Sequence, residues 1–185
     1  MIFTESALRQ IASLAYTKGS LEESNFAQVV EINERVVGFL FGRNAKKPLF
    51  KNYFFFKLNM LWRLIWYPGQ KTARDNLLTA IKTHIKNRSV IVERGKSEIL
   101  LFIADPEYQG QGFGEKLWSK FKEACLKSGV ESIYVSTNTS GATGFYHSMG
   151  FRHLGDFCSP LHEIVQWEGR PCMYVYSVKG QAMRN

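Results

Sequence analysis

The sequence predicts an α/β fold, a mixed sheet with helices around it, and three observations carry that expectation. Short apolar runs such as "RVVGFLFGR" and "EILLFIAD" read as strands, whereas Leu77, Leu78, Ile81 and Ile85 recur at the three- and four-residue spacing of a helix face. The two patterns take turns along the chain. With 185 residues, 45% of them hydrophobic, the chain is about one domain long and has apolar surface enough for a core.

Taken in order, residues 5–17 place Leu8, Ile11, Ala12 and Ala15 on one helical face. This opening stretch lacks the basic start and unbroken apolar run of an export signal and reads as a helix. "AQVVEIN" and "RVVGFLFGR" flank Glu34 as a β-hairpin. "KKPLFKNYFFFKLNMLWRLIWYPGQKTARDN" follows, crowded with aromatics and cations and broken at Pro68 and Gly69. The helix marked by Leu77 to Ile85 comes next, then "SVIVE", a turn at "RGK" and the strand "EILLFIAD". A helix from Glu115 to about Lys127 buries a stripe of Leu117, Phe121, Ala124, Cys125 and Leu126. After a turn at Ser128 and Gly129 come the strand "SIYVST", a short helix in "GATGFYHSM", and strands near Phe151–Leu154 and Met173–Val178.

The net charge of +8 is unevenly placed. Residues 43–96 hold thirteen of the 24 Lys and Arg but two of the 16 acids, a segment charge of +11, and the rest of the chain carries −3. An anionic partner is therefore expected at that segment. Cys125, Cys158 and Cys172 form an odd set with no CxxC and no histidine at metal-ligand spacing, so reduced thiols, a cytoplasmic protein and no structural zinc are expected.

The stretch "DPEYQGQGFGEKL" asks for an explanation, since Gly110, Gly112 and Gly114 fall at every second position between a strand and a helix. Such a turn offers backbone N–H groups and the positive end of the helix dipole to a phosphate. It matches neither the dinucleotide spacing G-x-G-x-x-G nor the Walker spacing G-x-x-x-x-G-K-[ST], and tight helix–strand packing is the alternative reading.

Gln109-x-x-Gly112-x-Gly114 after an apolar strand resembles the acyl-CoA pyrophosphate loop of the GNAT superfamily, and "FYHSMGF" resembles that superfamily's short helix and following strand. The resemblance covers roughly residues 27–43 and 97–180 and fails across a basic aromatic insertion at about residues 44–96. It implies one GNAT-like domain over residues 1–185, with a mostly antiparallel sheet splayed at the cofactor-binding strand. It further implies an N-acetyltransferase that moves an acetyl group from acetyl-CoA directly to a primary amine, with no metal. In such enzymes the backbone of Gln109, Gly110, Gln111, Gly112, Phe113 and Gly114 would cradle the CoA pyrophosphate, and Phe102, Ile103 and Ala104 would hydrogen-bond the pantetheine as a strand does.

Tyr146 matches the tyrosine that protonates the leaving thiolate in this superfamily, a task suited to a phenol that stays protonated at neutral pH. Glu98 stands where some members carry a catalytic glutamate, and a polar strand-end residue is its other reading. His147 and His153 flank the region, with exposed or helix-capping roles favoured for both. An asparagine usually stands seven residues before the tyrosine; here that position is Thr139 and Asn138 precedes it, so either side chain is open to face the pantetheine.

For the insertion three readings stand open: a lid over the acceptor pocket, a basic amphipathic helix on anionic membrane, or a packing or dimer contact. Its apolar run is too short to span a bilayer, which needs about 20 residues. A basic pocket wall suits an anionic small-molecule acceptor such as an amino sugar. A nucleic-acid surface is disfavoured, because the aromatics are bunched with aliphatics rather than laid out as a stacking platform. A non-catalytic acyl-CoA-binding domain is the other alternative, and the retention of Gln109, Gly112, Gly114 and Tyr146 together speaks for an enzyme.

Overall fold

The computed structural model describes residues 17–49, 55, 58–59, 62, 71–93, 95–164 and 168–178. Strands β1 (Phe26–Ile32) and β2 (Arg35–Arg43) form the expected hairpin. Its turn residues Asn33 and Glu34 both have positive φ, 49° and 62°, the backbone that a tight two-residue hairpin turn demands. Helix α1 (Lys71–Ile91) leads to β3 (Glu98–Ala104), and a single 3₁₀ turn at Pro106–Tyr108 leads to helix α2 (Phe113–Lys127). Then follow β4 (Ser132–Asn138), α3 (Thr143–Ser148), β5 (Arg152–Asp156), α4 (Pro160–Ile164) and β6 (Pro171–Ser177). Residues 17–22 are helical, and the rest of the helix expected at 5–17 lies outside the described residues. So does most of the aromatic run of the insertion, of which Phe55, Leu58, Asn59 and Trp62 are described as helical and exposed.

The strands make one six-stranded sheet in the order β1-β2-β3-β4-β6-β5. Four of its neighbouring pairs are antiparallel, and β3 with β4 is parallel. The mixed, mostly antiparallel sheet expected from the sequence is therefore present, with its parallel pair at the centre. Side chains alternate across it. Ile133, Val135, Tyr174 and Tyr176 share one buried cluster with Leu117, Trp118 and Phe121 of α2 and Tyr146 of α3. Tyr134 and Met173 point to the other side, where Ile91, Val92 and Phe157 cover them and α1 packs against α4. Helices thus lie on both faces.

Two local departures have physical causes. Helix α1 continues through "SVI", which β-branched residues had set apart from it, because Ile91 and Val92 are anchored against Phe157 and Met173. Helix α4 was not anticipated, although its signal is local: Pro160 opens it and the Ser159 hydroxyl accepts from the His162 N–H at 3.3 Å.

The core is closest at Gly42 in β2. A methyl group there would meet Cε2 of Phe121 at 2.5 Å, and Phe121, fully buried, is held between Phe26 at 5.0 Å and Trp118 at 6.5 Å. Gly42→Ala is expected to lower stability by roughly 1–3 kcal/mol through overpacking. A urea midpoint equal to that of the wild type would show that Phe121 has room to move.

Candidate active site

The strand-to-helix turn is built from its first residue. The Asp105 carboxylate accepts from the Glu107 N–H at 3.0 Å and pairs with Arg35 at 2.7 Å, which fixes the chain as it leaves β3. Gly110 and Gly112 then take φ of 78° and 80°, and a Cβ at either would meet nothing within 4 Å. Their glycines answer to backbone conformation, in a loop whose outer side is open. Gly112 is the N-cap of α2 and supplies no side-chain cap, so the amino end of this 15-residue helix faces outward with its dipole unopposed by a capping group. Gly114 differs: a Cβ there would lie 3.3 Å from Phe145 and 3.5 Å from Phe102, so this glycine serves close packing.

Strands β3 and β4 pair only through Glu98 with Tyr134 and Ile99 with Val135. Beyond Ile99 they part, and among the described residues the edge of β3 that faces β4 has no ladder partner over Phe102, Ile103 and Ala104. The splay expected at this strand is present. A cavity of about 980 Å³ occupies the gap, walled by Leu101 to Ile103 on one side and Ser136 to Asn138 on the other. The Asn138 side-chain oxygen is buried there with no hydrogen-bond partner among the described residues. Thr139 is turned to another task, its hydroxyl accepting from the Arg170 N–H at 2.9 Å and its own N–H bonding the Arg170 carbonyl at 2.9 Å. Of the two residues left open by the sequence, Asn138 lines the cavity.

Tyr146 lines it too, 4% exposed, with Phe145, Phe151 and Tyr174 packed around its ring. His147 and His153 are absent from the lining. His147 meets the Tyr174 hydroxyl at 3.3 Å, and His153 pairs with Asp156 at 2.9 Å.

Where the cavity meets α1 and α4, its wall is ionic. Glu98 is 6% exposed, and each of its carboxylate oxygens accepts from a guanidinium: Arg43 at 3.2 Å on one, Arg88 on the other. Arg43 also pairs with Glu23 and donates from Nε to the Lys96 carbonyl at 3.1 Å. Two arginines are thus matched by two glutamates, an arrangement that keeps buried charge compensated.

His84 and His162 line the same end, and sequence reasoning missed both. The His84 Nδ1 lies 2.7 Å from the Ser159 hydroxyl, and its ring stacks near that of His162 at 6.3 Å. Burial, then the charges of His162 and Arg88, holds the His84 imidazole down at about 4; burial also lowers His162. Both rings are therefore uncharged at neutral pH. The available signal was the spacing of His84 and Arg88, one helical turn apart on the face of α1.

A pH effect follows from His84. Its folded-state value lies below the ordinary 6.5, so as pH falls the unfolded chain takes up this proton first. The stability it contributes is complete above pH 6.5 and is lost progressively toward pH 4. The expected result is that His84→Gln shallows the fall of the melting temperature between those values. An unchanged slope would show that His84 is freely protonated in the fold.

Comparison with known proteins agrees with this geometry. Residues 71–159 match the family model of the acetyltransferase (GNAT) domain, a match that begins inside the segment read as an insertion and includes all of α1. Among solved structures the chain is similar to PH1933 from Pyrococcus horikoshii OT3, at 16% identity and a TM-score of 0.54, covering 93% of this chain and 78% of that one. It is similar to an IAA acetyltransferase from Bacillus cereus ATCC 14579, at 14% identity and 0.51, covering 91% and 83%. A candidate streptothricin acetyltransferase from Bacillus anthracis str. Ames, solved with acetyl coenzyme A, matches at 14% identity and 0.49, and the chain spans 62% of its length. Identities this low bear on fold alone. No curated protein sequence matches the chain.

Proposed function

We propose, from the match of residues 71–159 to the acetyltransferase (GNAT) domain model, that the chain moves an acetyl group from acetyl-CoA to a primary amine of a small-molecule acceptor. The observation that carries the reading is the parting of β3 from β4 after Ile99, which leaves a strand edge and the buried Asn138 oxygen facing one cavity. The residues present fit the cofactor. The diphosphate would be held by the backbone from Gln109 to Gly114 at the amino end of α2, and the pantetheine by Phe102, Ile103, Ala104 and Asn138. Bound there, acetyl-CoA supplies a thioester carbon open to attack by the amine.

Tyr146 gives its hydroxyl proton to the leaving sulfur. Glu98 faces the same cavity, but both of its oxygens already accept from guanidiniums, so we assign it the task of holding Arg43 and Arg88 and leave the amine's proton to water. Glu98→Gln is accordingly expected to lose roughly 3 kcal/mol of stability, because it leaves buried cations unmatched. Turnover per folded molecule should stay within a few-fold of the wild type; a loss on the scale of base catalysis, about a hundredfold or more, would return the base role to Glu98.

The acceptor end sets limits on the amine. Arg43 and Arg88 are neutralised by Glu23 and Glu98, and Lys47 is the lining cation with no carboxylate partner among the described residues. Support for an anionic amino sugar thus rests on Lys47 and on the charge of the surrounding segment. A neutral or singly anionic amine suits the charge balance better than a polyanion. Among the described residues no helix is long and apolar enough to cross a membrane.

Calorimetric titration of acetyl-CoA, with desulfo-CoA and ATP as comparisons, tests the donor half. Micromolar binding of acetyl-CoA with far weaker binding of ATP is expected, and equal binding of the two would refute it. A panel of anionic, neutral and cationic primary amines then tests the acceptor half through release of free thiol. Preference for basic peptides would overturn the acceptor assignment.

A further inference from the structure

The ladder between β5 and β6 brings together three side chains that lie far apart in the chain, and we propose that His153, Asp156 and Cys172 form a binding site for a divalent ion of the zinc class. In a regular strand, residues three apart point to opposite faces. Here the register shifts between His153 and Gly155: His153 lies opposite Tyr174, Gly155 opposite Met173 and Asp156 opposite Cys172, so Leu154 is an extra residue on β5. The bulge turns Asp156 to the face that His153 already occupies, which is the face of Cys172 and Tyr174. Bulges of this kind re-aim side chains and are commonly functional.

The result is one imidazole nitrogen, one carboxylate oxygen and one sulfur, all within 4.8 Å of one another. His153 Nε2 and Asp156 Oδ1 already meet at 2.9 Å. Cys172 is fully buried beneath them, its thiol 3.6 Å from the Thr137 carbonyl, and the Tyr174 ring flanks His153 at 5.2 Å. One cation stands in the way: the Arg170 guanidinium lies 3.4 Å from Asp156 Oδ2. Its side chain is 79% exposed, so displacing it costs little.

The chemistry of the donor set selects the ion. Nitrogen, oxygen and thiolate sulfur suit Zn²⁺ or Co²⁺, whereas Mg²⁺ and Ca²⁺ take oxygen ligands. On binding, the Cys172 thiol releases its proton to solvent as the sulfur–metal bond forms, and thiolate plus carboxylate balance the two positive charges. Three protein ligands leave the fourth position of a tetrahedral ion to water. None of the three residues lines the cavity, so the ion takes no part in acetyl transfer; it clamps the sheet-edge strand β5 to β6. This site is independent of the function proposed above. Histidine spacing along the chain could not reveal it, because the pairing of strands, not sequence distance, assembles the ligands.

The test is calorimetric titration of ZnCl₂ into the tag-free, metal-stripped full chain, with Co²⁺ absorption as a second readout. One equivalent of zinc is expected to bind at micromolar concentration or below, with a thiolate-to-cobalt absorption band. His153→Ala should weaken zinc at least about tenfold, and Cys172→Ser should also abolish the cobalt band. Cys158→Ser, which removes the exposed cysteine, should bind as the wild type does. Because His153 is exposed, its variant decides the matter even if Cys172→Ser fails to fold. No zinc binding by the wild type, or undiminished binding by His153→Ala, overturns the proposal.

Discussion

Gly112→Asp is expected to abolish acetyl-CoA binding while leaving a folded protein. The backbone at Gly112 has φ of 80°, and the space where a Cβ would stand is open for 4 Å. An aspartate therefore meets no steric clash, only the strain of a left-handed backbone, about 1–2 kcal/mol for a residue with a Cβ and somewhat less for Asp. What changes is charge. The carboxylate would stand at the uncapped amino end of α2, where the proposed diphosphate has its N–H donors, and would take those donors for itself. Repulsion between a fixed carboxylate and a diphosphate at contact distance, added to the lost donors, should exceed a hundredfold in affinity, about 2.7 kcal/mol. Calorimetry on the variant reads this directly, and circular dichroism checks the fold. Affinity within a few-fold of the wild type would mean that the glycines serve only to turn the chain.

Tyr146→Phe is expected to lower turnover by about a hundredfold with acetyl-CoA affinity nearly unchanged. The substitution keeps the ring that packs against Phe145, Phe151 and Tyr174, so what it removes is the hydroxyl. If that hydroxyl protonates the leaving sulfur, the loss falls on kcat, because the interaction exists only as the thiolate forms. The measurement uses the amine selected from the panel, at saturating acetyl-CoA. Full activity would move the acid to another group, and a loss confined to KM would recast Tyr146 as a wall of the cavity.

Much of the fold was legible because it is written in local patterns. Alternating and three-to-four spacing located the hairpin around Glu34, the strand of Glu98–Ala104 and helix α2 to within a residue or two. The functions of the three glycines could not be separated from the sequence. Two answer to positive φ and one to the nearness of Phe102 and Phe145, a distinction that exists only once the helix is docked. Asn138 and Thr139 were likewise inseparable until the end of β4 bound Arg170 and turned the threonine away. The ionic wall was invisible for a related reason: Glu23, Arg43, Arg88 and Glu98 come from four segments, and their pairing is a property of packing. Charge counting along the chain found the basic segment but counted Arg43 and Arg88 as though their charges were uncompensated.

The meeting of β3 and β4 at only two residue pairs has a consequence for how the molecule holds together. The sheet is in effect two three-stranded antiparallel halves, β1-β2-β3 and β4-β6-β5, joined at a narrow seam. Sheet pairing by itself therefore couples the halves weakly, and cooperativity across the seam depends on α2, whose Leu117, Trp118 and Phe121 reach from Leu40 to Tyr176. A molecule lodged in the gap and bonded to both strands would act as a seventh strand. It would complete the seam and make opening the two halves a single event.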